Sequence, residues 1–242
     1  SALGVQRDLA QERGRRRYAP DDHDAAQLDW LRATLDGLEE ERPNGWRVLV
    51  LHHPLFSTIR NHCEHSEIQE TRANLLPIVA NRVHLVLSGH SHAFEWLRCE
   101  QMPHAGLFVT GGGGQVGLRR SLLDPHYFQR YRDRYQALCR AGALECAVGG
   151  RGPAAPDGEN GFLYHYLRVE VRRDMLRIIP VGVRRLRSGE YRREEPMPVY
   201  HAPDLPGSGG WMTAGREHPG WHPRRLRAVE VRRDRPPRPL WE

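Results

Sequence analysis

The chain has 242 residues, 39% of them hydrophobic, enough for a substantial core in one large or two small domains. Its formal net charge is +6, and with no lysine in the sequence every Lys/Arg-type cation is arginine. No apolar run approaches the ~20 residues that span a bilayer and no signal-peptide core is present, so the chain is expected to be soluble without a membrane partner. Any targeting signal would lie upstream of Ser1, and a cytoplasmic location is the default expectation. Cys63, Cys99, Cys139 and Cys146 are neither dense nor closely paired, which argues against a disulfide framework, with a bridge between the last two left open. Arginine runs at 13–17, 184–187 and 232–238 can touch phosphates, yet no aromatic residues interleave them as stacking platforms. Solvated basic surface is therefore the favoured reading over nucleic-acid binding.

Residues 1–20 are polar, Arg-rich and aperiodic, and are expected to be poorly ordered. Asp24 then reads as an N-cap with Gln27 three residues on, and Leu28, Leu31, Leu35 and Leu38 form an apolar stripe, which predicts an amphipathic helix over 25–41. Pro43-Asn44-Gly45 ends it, and a strand over 46–51 delivers His52-His53-Pro54. The polar loop that follows holds His62, Cys63, Glu64 and His65. Their spacing matches no standard zinc pattern, so His62 and His65 are read as substrate contacts. Ser66 with Gln69 suggests a second capping box, opening a helix to about Asn81 that Pro77 would kink. A second apolar run, Val83-His84-Leu85-Val86-Leu87, leads into Ser88-Gly89-His90-Ser91-His92, with His84 read as a packed residue.

Apolar runs of this kind read as buried parallel strands, and ligands in open α/β sheets bind at the carboxyl ends of such strands. The two histidine groups can therefore converge on one site. Beyond them, Phe94–Arg98 and Leu107–Thr110 read as short strands, with Gly111–Gly114 as a tight exit passing close to other backbone. A helix is expected over Pro125–Arg140 and a Gly/Pro/Ala loop over 141–160. Residues 162–183 alternate as a β-hairpin turning at Arg172-Arg173-Asp174. The hexamer Val169–Asp174 recurs as Val229–Asp234, read as two strand-turn units or coincidence. From Glu194 to Pro223 the Pro, Gly and Trp content suggests a covering loop or extended tail.

Taken in order, Gln27-Leu28-Asp29-Trp30-Leu31, His52-His53-Pro54, the helix before the second strand, Gly89-His90-Ser91-His92 with Phe94-Glu95-Trp96, and Thr110 followed by Gly111–Gly114 resemble the second half of the calcineurin-like metallophosphoesterases, which include the purple acid phosphatases. The resemblance covers residues 20–115. It implies an α/β fold, a four-layer α/β/β/α metallophosphoesterase sandwich that is incomplete because the N-terminal half of the domain is absent. Residues 21–190 would form the C-terminal half of that domain, 1–20 a poorly ordered segment, and 191–242 a Pro/Gly/Trp-rich extension. It further implies a dinuclear centre of iron, zinc or manganese, divalent or trivalent. His52 and His90 would ligate one ion and His92 the other, with His53 orienting its neighbour or touching phosphate.

The implied activity is phosphoester hydrolysis in a full-length parent, with a phosphoester substrate. No catalytic residue is assignable here, since the general acid and bridging carboxylate of the resembled family fall in the absent half. Asp21-Asp22-His23 follows no apolar strand and reads as helix-capping sequence. The 242-residue chain alone is expected to bind metal weakly, to be inactive and to be poorly soluble. The rival reading is a non-catalytic truncated module of the same fold that binds protein or nucleic acid.

Overall fold

The two apolar runs that precede the histidine groups pair side by side and in parallel. In the computed structural model, which describes residues 22–58, 65–113, 142–149, 163–186, 188–202 and 222–242, β1 (Val48–Leu51) aligns Leu51 with Ser88 of β2 (Leu85–Ser88). Helix α1 (Asp22–Glu41) precedes β1, and α2 (Ser66–Val79) connects β1 to β2. Strands β3 (Phe94–Cys99), β4 (Gly106–Thr110), β5 (Ala143–Gly149), β6 (Leu163–Val171), β7 (Leu176–Arg185), β8 (Tyr191–Glu194), β9 (Met197–Ala202), β10 (His222–Val231) and β11 (Arg238–Trp241) follow. They form one hydrogen-bonded path, β1-β2-β4-β3-β5-β9-β10-β7-β6, with β8 added to β7 and β11 to β10. Pairing is parallel across β1-β2-β4 and antiparallel from there on.

The period-2 alternation of these strands places a core on each face of the first half of the path. On one face Val86, Leu97, Leu107 and Val109 pack against Leu28 and Leu35 of α1 and Leu75, Ile78 and Val79 of α2. On the other, Leu85, Phe94, Trp96 and Phe108 meet Leu176, Ile178, Val199 and Val229 of the second half. The described residues thus pack two helices on one face of the first half of the strand path and the second half of that path on the other, an α/β arrangement dominated by strands. Phe94 and Trp96 are fully buried, a burial that stabilises by about 1.5–3 kcal/mol for a phenylalanine-sized side chain. No described helix is long and apolar enough to cross a membrane.

The path ends in two open edges. Val48 and Val50 stand opposite Leu85 and Leu87, and Val169 and Val171 opposite Ile178 and Leu176, so all four valines lie on the face of the inter-sheet core. They nevertheless remain 47%, 72%, 36% and 68% exposed, because β1 and β6 terminate the path and nothing described covers them. The start of β1 is tied across to the β6–β7 turn by the Trp46 indole, which donates to the Arg172 carbonyl at 2.7 Å, and the Arg233 guanidinium lies 4.0 Å from the Trp46 ring centre.

Several local expectations are corrected. Helix α1 begins at Asp22, so Asp24 sits inside its first turn rather than at its cap. At α2 the cap residue is His65, with no side-chain cap, and its carbonyl accepts the Ile68 and Gln69 amides; the Ser66 capping box does not form. The helix ends at Val79 and carries Pro77 within it. Ala143–Gly149, expected as loop, is strand β5 in the middle of the path, its small residues Cys146 and Ala147 buried on opposite faces. The segment from Met197 onward, expected as tail, supplies β9 as far as Ala202 and then β10 from His222. The 162–183 hairpin forms as β6 and β7. The two hexamer copies flank β7 at one register: Leu176, Arg177 and Ile178 pair with Val171, Glu170 and Val169 on one side and with Val231, Glu230 and Val229 on the other. The helix expected over Pro125–Arg140 lies outside the described residues.

Candidate metal centre

Because β1 and β2 end in register, the residues that follow them begin side by side. The Gly89 amide donates to the His52 carbonyl at 3.0 Å, extending the ladder by one bond into the loops. His90 then turns back with φ +62, a left-handed conformation uncommon for a residue with a Cβ and characteristic of functional loops. The turn is tightened by two short-range bonds, Ser91 amide to Gly89 carbonyl at 2.7 Å and Ala93 amide to Ser91 carbonyl at 2.8 Å.

This geometry brings three imidazoles together. The His52 Nε2 and His90 Nδ1 atoms lie 3.1 Å apart, and ring centres are separated by 5.0 Å for His52–His53, 5.0 Å for His52–His90 and 4.4 Å for His53–His90. One ring nitrogen from each of His52, His53 and His90 falls within 4.8 Å of the other two. His52 is exposed, His90 half-buried and His53 buried. The His53 Nε2 faces the Glu67 carboxylate at 3.3 Å, whereas its Nδ1 is buried with no hydrogen-bond partner among the described residues. Leaving such an atom unpaired costs about 1–3 kcal/mol. Burial pushes the His53 imidazole below its usual range, outweighing the Glu67 charge, and His52 and His65 act in the same direction as burial. His53 is thereby held in the neutral form that a metal requires.

His92 is half-buried two residues beyond His90 and is not in the three-histidine group. His65, at the cap of α2, lies with its Nδ1 3.7 Å from the same Glu67 carboxylate, on the rim of the cluster. His62, Cys63, Glu64 and Asp21 lie outside the described residues. Asp22 and His23 belong to the first turn of α1. His84 is buried, as expected, and accepts the Arg47 amide on Nδ1 at 3.0 Å.

The two histidine loops are fastened to each other by a carboxylate. Glu95, in the central strand β3, is wholly buried. It accepts the Ser57 hydroxyl at 2.7 Å, the Thr58 amide at 2.6 Å and the Thr58 hydroxyl at 2.5 Å. The Ser57 hydroxyl also lies 3.3 Å from that of Ser91, the residue between His90 and His92. Burial raises the Glu95 pKa, and the three hydrogen bonds oppose that rise. The glycine exit of β4 completes the frame: a Cβ on Gly111 would stand 2.2 Å from the Ser91 carbonyl oxygen, so only glycine permits the approach. A Cβ on Gly112 would stand 2.5 Å from the buried His165 ring. An apolar groove of about 330 Å³ between α1, α2 and β1, walled by Leu28, Leu31, Leu49 and Leu75, ends at His52. Sequence reasoning missed Ser57, Thr58, Glu67 and Glu95.

Three neutral-capable imidazoles, one with an orphaned buried nitrogen, suit a borderline divalent cation such as zinc and leave a coordination position open. The chain is also partly similar to known proteins. The chain is 30% identical over 115 residues to purple acid phosphatase 18 of Arabidopsis thaliana, covering 45% of this chain and 26% of that protein. It is 34% identical over 84 residues to purple acid phosphatase 4 of the same plant, covering 34% of this chain and 23% of that protein. The chain thus spans about a quarter of the length of these relatives. No family model matches it. The similarity is partial and of a phosphoesterase kind.

Proposed function

We propose that this chain carries part of the site of a metal-dependent phosphoester hydrolase, as the C-terminal half of a four-layer metallophosphoesterase sandwich whose N-terminal half belongs to a longer polypeptide. The observation that carries the reading is the convergence of His52 and His90, from the ends of adjacent parallel strands, in a chain that is partly similar to purple acid phosphatases. The open β1 edge with its uncovered Val48 and Val50 supports the missing half, since exposed apolar residues on an unpaired strand invite pairing with another chain.

In this reading His52 and His90 ligate one ion and His92 a second, drawn from iron, zinc or manganese. When bound, a pair of such ions supplies Lewis-acid polarisation of phosphoryl oxygens and activates water for in-line attack. The residues of this chain position rather than react. Glu95 holds the two loops at fixed separation through Ser57 and Thr58. The close backbone approach of Gly111 to Ser91 limits how far the His90–His92 turn can move. His62 and His65, on the segment after Pro54, are read as substrate contacts.

The test is hydrolysis of an aryl phosphate, with manganese or zinc added, by the 242-residue chain and by a form extended upstream of Ser1. The extended form is expected to be active and to lose at least about 100-fold with His90→Ala, because even outer-shell partners of a ligand are worth 10–100-fold. The shorter form is expected to show negligible turnover. An extended form that binds metal yet hydrolyses no phosphoester would sink the proposal, and robust turnover by the 242-residue chain would overturn its half-site part.

A further inference from the structure

We infer that His53 is itself a metal ligand, making His52, His53 and His90 a three-histidine site for one cation, with Glu67 as the carboxylate that orients it. This rests on reading the cluster as a metal centre but departs from the scheme the resemblance supplies, in which His53 is only a neighbour. Three observations carry it. The first is distance: nitrogens on one tetrahedral ion at 2.0–2.1 Å stand about 3.4 Å apart. The His52 Nε2–His90 Nδ1 separation of 3.1 Å is already close to that, and one ring nitrogen of His53 lies within 4.8 Å of one from each of the other two.

The second is tautomer. A Glu67 carboxylate oxygen 3.3 Å from His53 Nε2 favours the tautomer with its proton on that nitrogen, and a carboxylate beside the far nitrogen is the usual partner of a ligating histidine. The nitrogen left with a lone pair is Nδ1, which is buried and, among the described residues, has no hydrogen-bond partner. The third is that a His53 serving only to orient His52 would use a ring nitrogen on it. His53 bonds to neither His52 nor His90; it meets both ring against ring, at interplanar angles of 78° and 61°. A cation at the cluster gives the orphaned atom a partner and gathers the three rings about one centre.

The experiment uses the whole 242-residue chain. Histidine 15N NMR is recorded during zinc titration, and zinc affinity is measured by competition with a chromophoric chelator. His53 Nδ1 is expected to shift to a coordinated value together with one nitrogen each of His52 and His90, while Nε2 keeps its proton. His53→Ala is expected to weaken zinc binding by at least about 100-fold and Glu67→Gln by 10–100-fold, with circular dichroism checking that each variant is folded. Because His53 is buried and its alanine variant can fail to fold, the NMR titration of the unsubstituted chain decides in that event. If zinc moves His52 and His90 but leaves His53 unshifted, the inference falls while the metal-centre reading stands. If none of the three responds, both fall.

Discussion

Replacing Glu95 tests how the two histidine loops are held. Glu95→Ala removes the acceptor of two hydroxyls and of the Thr58 amide in a site with no access to water. Hydrogen bonds to a charged group are worth about 1.5–3 kcal/mol each, and against their sum stands the desolvation of the carboxylate. What survives the change is a buried amide and two hydroxyls that have lost the Glu95 acceptor, plus a cavity, for an expected loss of about 3–5 kcal/mol. Glu95→Gln keeps the shape and one acceptor oxygen, and the hydroxyls can rotate to accept from its amide, so about 1–2 kcal/mol is expected. The two variants also differ from the parent in pH dependence. Burial raises the folded pKa of Glu95 above its ordinary 4.5, so the folded state binds more protons than the unfolded one in that window. The contribution is therefore fully present below 4.5 and is lost as pH rises through the folded value. Urea unfolding at a series of pH values reads both quantities, and zinc affinity reads the effect on the loops, expected to drop at least about 10-fold in Glu95→Ala. An alanine variant within about 1 kcal/mol of the parent, or a glutamine variant that keeps the parent's pH slope, would refute the assignment of a buried, strained-for-charge clamp.

Two further outcomes follow from packing and burial. Gly111→Ala sets a methyl 2.2 Å from the Ser91 carbonyl oxygen, so β4 or the His90–His92 turn must move; a loss of about 1–3 kcal/mol is expected, with a fall in zinc affinity measured by chelator competition that Gly37→Ala, with open space around it, does not share. His165 is buried with neither ring nitrogen hydrogen-bonded among the described residues, and burial alone lowers its pKa from 6.5 to about 4. The unfolded chain therefore takes the proton first as pH falls, and up to about 3 kcal/mol of stability present above 6.5 is lost toward pH 4. His165→Phe should flatten that loss in urea titrations and leave stability at neutral pH equal or higher, while an unchanged acid slope would show that other groups set it.

The parts of the site that could be read from the chain are those whose signal is local. An apolar run followed by histidine reads as a strand end, and two such runs joined by a helix read as parallel neighbours, which is how His52 and His90 meet. The strand β5 was hidden because Cys146, Ala147 and Val148 look like loop residues beside the Gly/Pro-rich stretch around them, and only the covering of both faces makes a strand of small residues worthwhile. The role of Glu67 was hidden for another reason: a glutamate in the first turn of a helix is ordinarily solvated, and its approach to His53, fourteen residues earlier, is decided by how α2 docks.

Glu95 differs from these, because the signal that exposes it was in the sequence all along. Phe94 and Trp96 alternate with it and face the inter-sheet core, so period 2 sends Glu95 to the opposite face with Leu97, which packs under the helices. β3 lies between β4 and β5 and both of its faces are covered, so no orientation offers that carboxylate water. A charge in such a strand must find donors from whatever passes over it. The chain that passes there is the one leaving His52-His53-Pro54, and its hydroxyl pair Ser57-Thr58 provides them. The buried charge and the hydroxyl pair are thus one feature written in two places, and together they turn two separate histidine loops into a single site.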